Sequence, residues 1–325
     1  MLNRVRASLK RLAADSPFFY RLYRRLRNAH ALVRSVVPDE PYARRIYKKF
    51  SGKELNLDNP ATFDEKTWWL KLRNRDPRLT LCSDKLAVRD YVAGKGYADI
   101  LVPLRGVYAR AKDIDFSAFC EEIILKCNAV SGENFFFAPG GPWDNKRAQR
   151  QMQKTLALAL KSKYHRISRE WNYKHIPPRI LAEKLLRDKE GRLPTDYRFF
   201  CFDGEPRVLT LDFETLRPDG THNSDLTRNV YDMDFNLLSG YRITRANDDR
   251  YAIKPENFAR MVKIARALAA PFVFCRVDLY NLDGSIYFGE ITFYHAGGCN
   301  DIQPAEWDLA LGSWIPIRSE KVVLR

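Results

Sequence analysis

Two carboxylates and a guanidinium stand in the last long hydrophobic part of the sequence. Arg276 and Asp278 are two residues apart in one strand-like stretch, and Glu290 and Thr292 are two apart in the next. Since alternate side chains of a strand share a face, each pair lies on one face of its strand. Ionised carboxylates in such apolar runs are costly unless they are paired or bound to metal. The pattern indicates either a Mg²⁺ site with an arginine that neutralises a phosphoryl group, or a structural Arg–carboxylate pair.

The connection between these stretches decides whether the carboxylates meet. Leu282-Asp283-Gly284 predicts a three-residue hairpin loop in which Gly284 has a positive φ. Counting outward from that loop sets Asp278 opposite Phe288 and keeps Glu290 on the same face. A two-residue turn without a compensating bulge would send Glu290 to the other face.

The elements around this hairpin are of mixed type. Helices are predicted after Asn59-Pro60, before Gly94, over 146–163 and after Pro255. Strands are predicted at 123–128, 179–186, 196–202 and 207–212, with a tight turn at Asp203-Gly204 between the last two. This succession predicts an α+β fold without internal repeats.

The net charge of +15 is concentrated at the start of the chain. Residues 1–50 contain thirteen Lys and Arg against three acids, and they predict a basic amphipathic helix around Leu22 and Leu26. Contact with an anionic polymer or an anionic membrane surface is one interpretation, and packing of the helix on the main domain is the other. Nucleic acid is not expected as a partner, because no zinc-finger, basic-zipper or RNA-binding signature occurs.

The cellular compartment is predicted from cysteines and hydropathy. The six cysteines form no C-x-x-C pair and lie in apolar runs, as reduced and buried thiols do. Charged residues interrupt every apolar stretch near the start, and no run is long enough to span a bilayer. A cytoplasmic protein is predicted, with peripheral contact at the inner membrane face left open.

The stretches Arg276-Val-Asp278 and Glu290-Ile-Thr292 resemble the paired metal strands of ATP-grasp enzymes. More narrowly, the chain resembles the TupA-like branch of that family, which is named for teichuronopeptide synthesis. Further matching stretches occur in the same order between about residues 56 and 315, and they are Asn59–Lys66, Asp84–Tyr91, Leu125–Asn128, Asp196–Phe202, Arg228–Asp232 and Glu306–Asp308.

The resemblance implies an ATP-grasp fold, in which two α+β subdomains hold the nucleotide between them. It predicts a basic helical extension over 1–55, an N-terminal α/β subdomain over 56–120, a small ATP-grasp subdomain over 121–190 and a large one over 191–325. The large subdomain would carry the metal-binding strands. ATP and Mg²⁺ are the implied cofactors.

Residue roles for the nucleotide follow from the same resemblance. Lys126 would reach the phosphates, and the loop at Ser131-Gly132 would close over them. Adenine would bind at the hinge Glu183, Lys184 and Leu186, and Asp196 would bind the ribose hydroxyls. Relatives have glycines and a histidine in this loop. Here the loop Asn128–Asn134 has a single glycine, no histidine and the acidic Glu133.

The remaining implied roles concern metal and substrate. Asp278 and Glu290 would hold Mg²⁺, with Thr292 where many ATP-grasp enzymes have a metal-binding asparagine. Arg276 would stabilise the transition state that leads to an acyl phosphate. Arg228 is a candidate for binding a carboxylate substrate, and a surface role is the alternative.

The implied activity is an ATP-dependent carboxylate–amine ligase of cell-envelope polysaccharide biosynthesis. A uronic-acid carboxylate on an anionic glycan would be joined to an amino acid or another amine. Two other classes are open at this point: a glycosyltransferase or other glycan-modifying enzyme, and a non-catalytic nucleotide-binding relative.

Overall fold

The structure is a computed structural model, and it describes residues 35–130, 134–213, 215, 223, 225–250 and 252–324, together with Leu22 and Leu26. Most of the predicted basic helix therefore lies outside the described residues, while Leu22 and Leu26 are helical and exposed. The chain divides into two compact units. The first comprises 103–185 with 35–38, and the second comprises 39–102 and the described residues from 186 onward.

Helices and antiparallel strands occur in separate runs along the chain, as in an α+β fold. The helices are α1 Asp39–Ser51, α2 Phe63–Arg73, α3 Pro77–Ser83, α4 Val88–Gly94, α5 Lys146–Leu160, α6 Tyr164–Ser168, α7 Phe258–Ala269 and α8 Ala305–Ser313. Short 3₁₀ helices cover Ala98–Ile100, Ala111–Asp113, Phe116–Ala118, Trp171–Tyr173 and His295–Gly297. The strands are β1 Leu104–Tyr108, β2 Ile123–Cys127, β3 Asn134–Phe137, β4 Ile180–Lys184, β5 Asp196–Phe202, β6 Glu205–Phe213, β7 Thr227–Tyr231, β8 Arg242–Ile243, β9 Phe274–Leu282, β10 Ser285–Thr292 and β11 Ile302–Gln303.

The first unit is a four-stranded antiparallel sheet with α5 packed on it. Its strand order is β1-β4-β2-β3. Helix α5 begins at the N-cap Asn145, whose side chain accepts from the Ala148 amide. Its apolar residues Met152, Leu156 and Ala159 are buried in the core of this unit. Burial of this one stripe leaves the opposite side of α5 to solvent.

The second unit is built on a five-stranded antiparallel sheet in the order β10-β9-β5-β6-β7. Helix α7 packs on it through Met261, Ile264 and Leu268, which are fully buried. The predicted hairpin between β5 and β6 is confirmed, since Asp203 and Gly204 have φ values of 51° and 89°. Positive φ at both turn residues matches the right-handed twist of the two strands.

Helix α1 contributes to the core of the second unit. Its residues Tyr42, Ala43 and Tyr47 are buried against Leu55 and Trp68. The segment predicted as a basic extension over 1–55 therefore contains a helix that packs in this unit. Among the described residues, no helix is both long and apolar enough to cross a membrane.

Candidate active site

The hairpin of β9 and β10 has a two-residue turn, so the predicted three-residue loop is wrong. Leu282 pairs directly with Ser285. Asp283 and Gly284 form the turn, with φ values of 49° and 86°. The positive φ expected at Gly284 is confirmed, but the turn is of the primed type that suits two-residue hairpins. By itself, this register would send Glu290 to the wrong face of the sheet.

A β-bulge at Gly289 restores the predicted face. Phe288 pairs with Leu279, and the next pair along the ladder is Glu290 with Asp278, so Gly289 is the additional residue. A side chain at this position would place its Cβ 3.0 Å from the Asp278 carbonyl oxygen, which explains the glycine. The two carboxylates therefore belong to one cross-strand pair, not to positions a pleat apart.

The Arg276 guanidinium connects both carboxylates. Its Nε and Nη2 donate to the two oxygens of Asp278, each at 2.6 Å. The same Nη2 donates to Glu290 Oε1 and to Thr292 Oγ1, both at 3.1 Å. Because one nitrogen contacts both acids, Asp278 Oδ2 and Glu290 Oε1 lie within about 6 Å of each other.

Burial distinguishes the two acids. It raises the pKa of Asp278 to about 6, although Arg276 and Arg198 act in the opposite direction. Burial also acts to raise the pKa of Glu290, but the positive charges of Lys85, Arg276 and Arg198 outweigh it and the pKa is lowered. Only 6% of the Asp278 side chain is exposed, against 41% of the Glu290 side chain. At neutral pH both groups are ionised.

Arg198 on β5 extends the charges across the sheet, and it is not among the site residues predicted from the sequence. It lies opposite Asp278 in the ladder, with its Nε 3.7 Å from Asp278 Oδ2. Its Nη1 lies 2.5 Å from Asp212 Oδ2, and its Nη2 donates to Asp196 Oδ2 at 2.9 Å. Acids and arginines thus alternate from β10 to β6 on one face of the sheet.

Arg228 on β7 is buried, so the surface alternative for this residue is wrong. Only 4% of its surface is exposed. Its Nη2 donates to Asp212 Oδ2 at 2.7 Å, its Nε donates to the other oxygen, and its Nη1 donates to the Ile243 carbonyl at 3.1 Å. The carboxylate bound by Arg228 in this structure belongs to the chain itself. Its candidacy for binding a substrate carboxylate stays a prediction.

His295, to which the sequence assigned no role, lies between two of these arginines. Arg276 Nη1 is 2.6 Å from its Nδ1, and Arg228 Nη1 is 3.3 Å from its Nε2. Burial, followed by the charges of the arginines, lowers the pKa of His295 well below its usual value. A neutral imidazole accepts at one nitrogen only, so the shorter contact assigns the acceptor to Nδ1. His295 therefore holds the Arg276 group from the side away from the carboxylates.

The loop that presents His295 has an unusual backbone. Ala296, Gly297 and Gly298 have consecutive positive φ values of 46°, 66° and 78°. The loop is fixed by α2, since Trp68 Nε1 donates to the Gly298 carbonyl at 2.8 Å and Lys71 Nζ donates to that of Gly297 at 2.6 Å. Such strain persists where the surrounding structure determines the conformation.

Of the predicted nucleotide residues that the structure describes, three belong to the first unit. Lys126 on β2 and Glu183 on the adjacent β4 form an ion pair, with Nζ 3.0 Å from Oε2. Lys184 is exposed, and its Nζ is 3.6 Å from Glu121 Oε2. Ser131 and Gly132 lie outside the described residues. The structure therefore joins Lys126 to Glu183, while their contacts with a nucleotide stay predictions.

The other two predicted nucleotide residues belong to the second unit. Leu186 is buried in a small cluster with Val102 and Leu282. The Asp196 carboxylate accepts from Arg198 and, at 2.9 Å, from Thr215 Oγ1. The proposed bonds from Asp196 to ribose would have to replace or share these contacts.

The oxygen donors on β9 and β10 fit Mg²⁺. Asp278 and Glu290 supply two carboxylates, and the Thr292 hydroxyl lies 3.1 Å from Glu290 Oε1. Mg²⁺ typically takes one or two carboxylates and completes its shell with water and substrate phosphates. Over the part of the chain that the structure describes, no group of three or more His, Cys, Asp or Glu is arranged to hold a metal. The two carboxylates and the hydroxyl thus leave most positions of a Mg²⁺ shell to water and phosphate oxygens.

Residues 65–316 match the family model described as TupA-like ATPgrasp. The chain belongs to the TupA-like ATP-grasp family. The match includes all the predicted site residues, from Lys126 to Thr292. The resemblance stated from the sequence is therefore confirmed. No curated protein matches this TupA-like chain.

Several solved structures are similar to this TupA-like protein. D-alanine–D-alanine ligase from Bacillus anthracis is 15% identical, with 66% of this chain and 57% of that chain covered and a TM-score of 0.39. D-cycloserine synthetase DcsG is 18% identical, with 73% and 70% covered and a TM-score of 0.40. The ligase PsnB, solved with Mg and ADP, is 12% identical, with 70% and 58% covered and a TM-score of 0.36. The chain thus spans little more than half the length of the first of these.

Proposed function

We propose that this TupA-like protein is an ATP-dependent ligase that joins a carboxylate to an amine through an acyl phosphate. The observation that carries the proposal is the cross-strand pair of Asp278 and Glu290 with Arg276 on the same face of the sheet. This set combines oxygen ligands for a cation with a guanidinium that neutralises negative charge, as phosphoryl transfer requires. Membership of the ATP-grasp family supports the use of ATP.

The reaction has two steps. A substrate carboxylate oxygen attacks the γ-phosphorus of ATP, the bond to the β-phosphate oxygen breaks, and ADP leaves. An amine nitrogen then attacks the acyl carbon, the C–O bond to phosphate breaks, and the amine loses a proton. An amide, ADP and phosphate are the products. Holding the reactants in place and neutralising their charge are the protein's main tasks.

Residues of the chain divide these tasks. Asp278, Glu290 and Thr292 would hold Mg²⁺, which neutralises phosphate charge when it is bound. Arg276 would contact the transferred phosphoryl group through the N–H groups that now bind the acids. Lys126 would bind phosphate oxygens of the nucleotide. The adenine site would be lined by Glu183, Lys184 and Leu186. Asp196 would bind ribose, and Arg228 orients Asp212 by donating to both of its carboxylate oxygens.

For the substrate, we infer a uronic-acid carboxylate of a cell-envelope polysaccharide and an amino acid or other amine. The name of the family and the excess of basic residues support this inference. A peripheral position at the inner membrane face, through residues 1–34, belongs to the same proposal. Because α1 is part of the core, a deletion that tests the basic segment should end before Asp39.

The test of the proposed activity is ADP release. Uronic-acid glycans and single uronic acids are incubated with ATP, Mg²⁺ and a panel of amines, and products are identified by mass. Supporting results are ADP formation that needs both substrates and a product lighter by one water than their sum. Release of a nucleoside diphosphate from a nucleotide sugar, without ATP turnover, would identify a glycosyltransferase instead.

Metal use should depend on pH through Asp278. Metal ligands must be deprotonated, and the pKa of this carboxyl is raised to about 6. As pH falls through 6, Asp278 gains a proton and the apparent Mg²⁺ affinity should fall roughly tenfold per pH unit, while little change occurs from 7 to 8. The measurement is the Mg²⁺ dependence of ADP release between pH 5 and 8. An apparent Mg²⁺ affinity that does not change between pH 5 and 8 would show that burial does not raise the pKa of this group.

His295 should act as a positioning residue for Arg276. His295→Leu removes the acceptor of the Arg276 Nη1 group, whereas His295→Asn retains an acceptor close to the place of Nδ1. We expect kcat of the leucine variant to fall about tenfold to a hundredfold with little change in KM for ATP. The asparagine variant should retain most of the wild-type kcat. Steady-state ADP release measures both constants. Equal loss in the two variants would assign His295 to packing alone.

A further inference from the structure

A row of basic side chains lies along α5, on the side opposite to its buried stripe. Within residues 144–179 the sequence has ten Lys and Arg against two acids. Helix α5 itself has no acidic residue, and the exposed basic residues on it and directly after it are Lys146, Arg147, Arg150, Lys154 and Lys161. These five residues are called the cationic row. The excess of basic residues is thus not confined to the start of the chain.

The helical period aligns these charges. Lys146, Arg150 and Lys154 follow one another at four-residue intervals, which keeps them within about 80° of arc on the helix surface. Lys161 falls within the same arc, and Arg147 lies at its edge. At 1.5 Å per residue the row is about 22 Å long. It is a line of positive charge, with one cation about every 6 Å over its first half.

Contacts among the described residues do not account for the row. Among the described residues, none of the five side chains forms an ion pair with an acid. Like charges four residues apart repel one another, and Lys146 and Arg147 in the first turn oppose the helix dipole. A sequence selected only for the stability of α5 would place acids there. Local rules are typically broken in this way at functional surfaces.

We propose that the cationic row binds a linear polymer that carries repeated carboxylates. A line of charge matches an extended polyanion, whereas stable attachment to a bilayer usually also needs an apolar face that inserts. The apolar residues of α5 are buried in the first unit, so they are not free to insert. Trp143, which is 38% exposed and lies two residues before the N-cap, provides an aromatic ring at one end of the row. An aromatic face stacks on the C–H face of a sugar ring, which favours a carbohydrate chain.

The inference rests on the proposed function only for the identity of the polymer. The cationic row would hold the polymer while one of the polymer's carboxylates reacts, and would thereby raise the effective concentration of substrate. Binding through the row needs neither ATP nor Mg²⁺. The failure of this inference and the failure of the ligase proposal are therefore separable. Polymer binding without ADP release would contradict only the ligase proposal. ADP release without polymer binding would contradict only the proposal that the cationic row binds the polymer.

The test compares two triple variants of the full chain. The first is Lys146→Gln, Arg150→Gln and Lys154→Gln, which retains good helix-forming side chains. The control changes three exposed lysines elsewhere, Lys49, Lys189 and Lys263, to Gln, so that both variants lose the same charge. Fluorescein-labelled polygalacturonate is titrated with each protein, and its anisotropy is measured at low and moderate salt. The melting temperature of each variant shows that it is folded.

We expect the row variant to bind polygalacturonate at least about tenfold more weakly and with a smaller salt dependence, because fewer cations take part. The control should bind nearly as wild type does, and a fully methyl-esterified polymer should not bind. Equal weakening in both variants would show that only net charge matters and would overturn the proposal. So would tighter, row-dependent binding to phosphatidylserine vesicles or duplex DNA than to polygalacturonate, or no binding of the polymer by wild type.

Discussion

Asp278→Asn and Glu290→Gln should each lower Mg²⁺-dependent ADP release by at least about a hundredfold while the fold is retained. Each change removes a metal-binding charge and preserves the shape of the side chain. Arg276 keeps acceptors in either variant, since the remaining acid, Thr292 and His295 all contact it. Initial rates of ADP release and the melting temperature of each variant are the measurements.

Glu205→Gln is the matched control for this pair. This substitution also removes a carboxylate that pairs with an arginine, Arg266. Both of these side chains are about half exposed. Its rate should equal that of wild type. Wild-type turnover in Asp278→Asn or Glu290→Gln would remove the proposed metal site and leave the ion pair with Arg276 as a structural feature.

The largest loss of stability is expected for Arg228→Met. The Asp212 side chain is completely buried, and Arg228 donates to both of its oxygens. Removing one partner of a buried pair costs about 3–5 kcal/mol, because the other charge stays buried. Arg198 still contacts Asp212, which limits the loss to the lower part of that range. Chemical denaturation gives the free energy of unfolding.

Two further variants define what the loss means. Arg266→Met breaks an exposed pair with Glu205 and should cost about 1 kcal/mol or less. Asp212→Leu combined with Arg228→Met removes both charges and should recover part of the stability. If Arg228→Met is no more destabilising than Arg266→Met, the buried pair does not contribute as its geometry indicates.

The contacts of Arg276 bear on how the site would change with Mg²⁺. In this structure the guanidinium occupies both oxygens of Asp278, which are the same atoms that would bind the cation. A cation there would free the Arg276 N–H groups for a phosphoryl oxygen. His295 would still hold the guanidinium through Nη1. A neutral acceptor suits this task, because a third acid would attract the cation.

The sequence determined many of the elements and which reactive side chains share a face within one strand. Alternation in β9 and β10 placed Arg276 with Asp278 and Glu290 with Thr292, and tight turns at Asp203-Gly204 and before Ser285 were marked by glycine. These are local properties, since the strand period and the need for a positive φ act over a few residues. The ordered motifs between residues 65 and 316 likewise identified the family from sequence.

Tertiary structure decided the register and the partners. The bulge at Gly289 is set by its close approach to the Asp278 backbone on the neighbouring strand, and a count along one chain cannot detect such a contact. Arg198, Asp212 and Arg228 come from three other strands, and His295 comes from a loop fixed by α2. Only Arg228 of these four is a predicted site residue, because the role of each depends on contacts between elements distant in sequence. Side chains far apart along the chain become one charged network only when sheet packing removes them from water together.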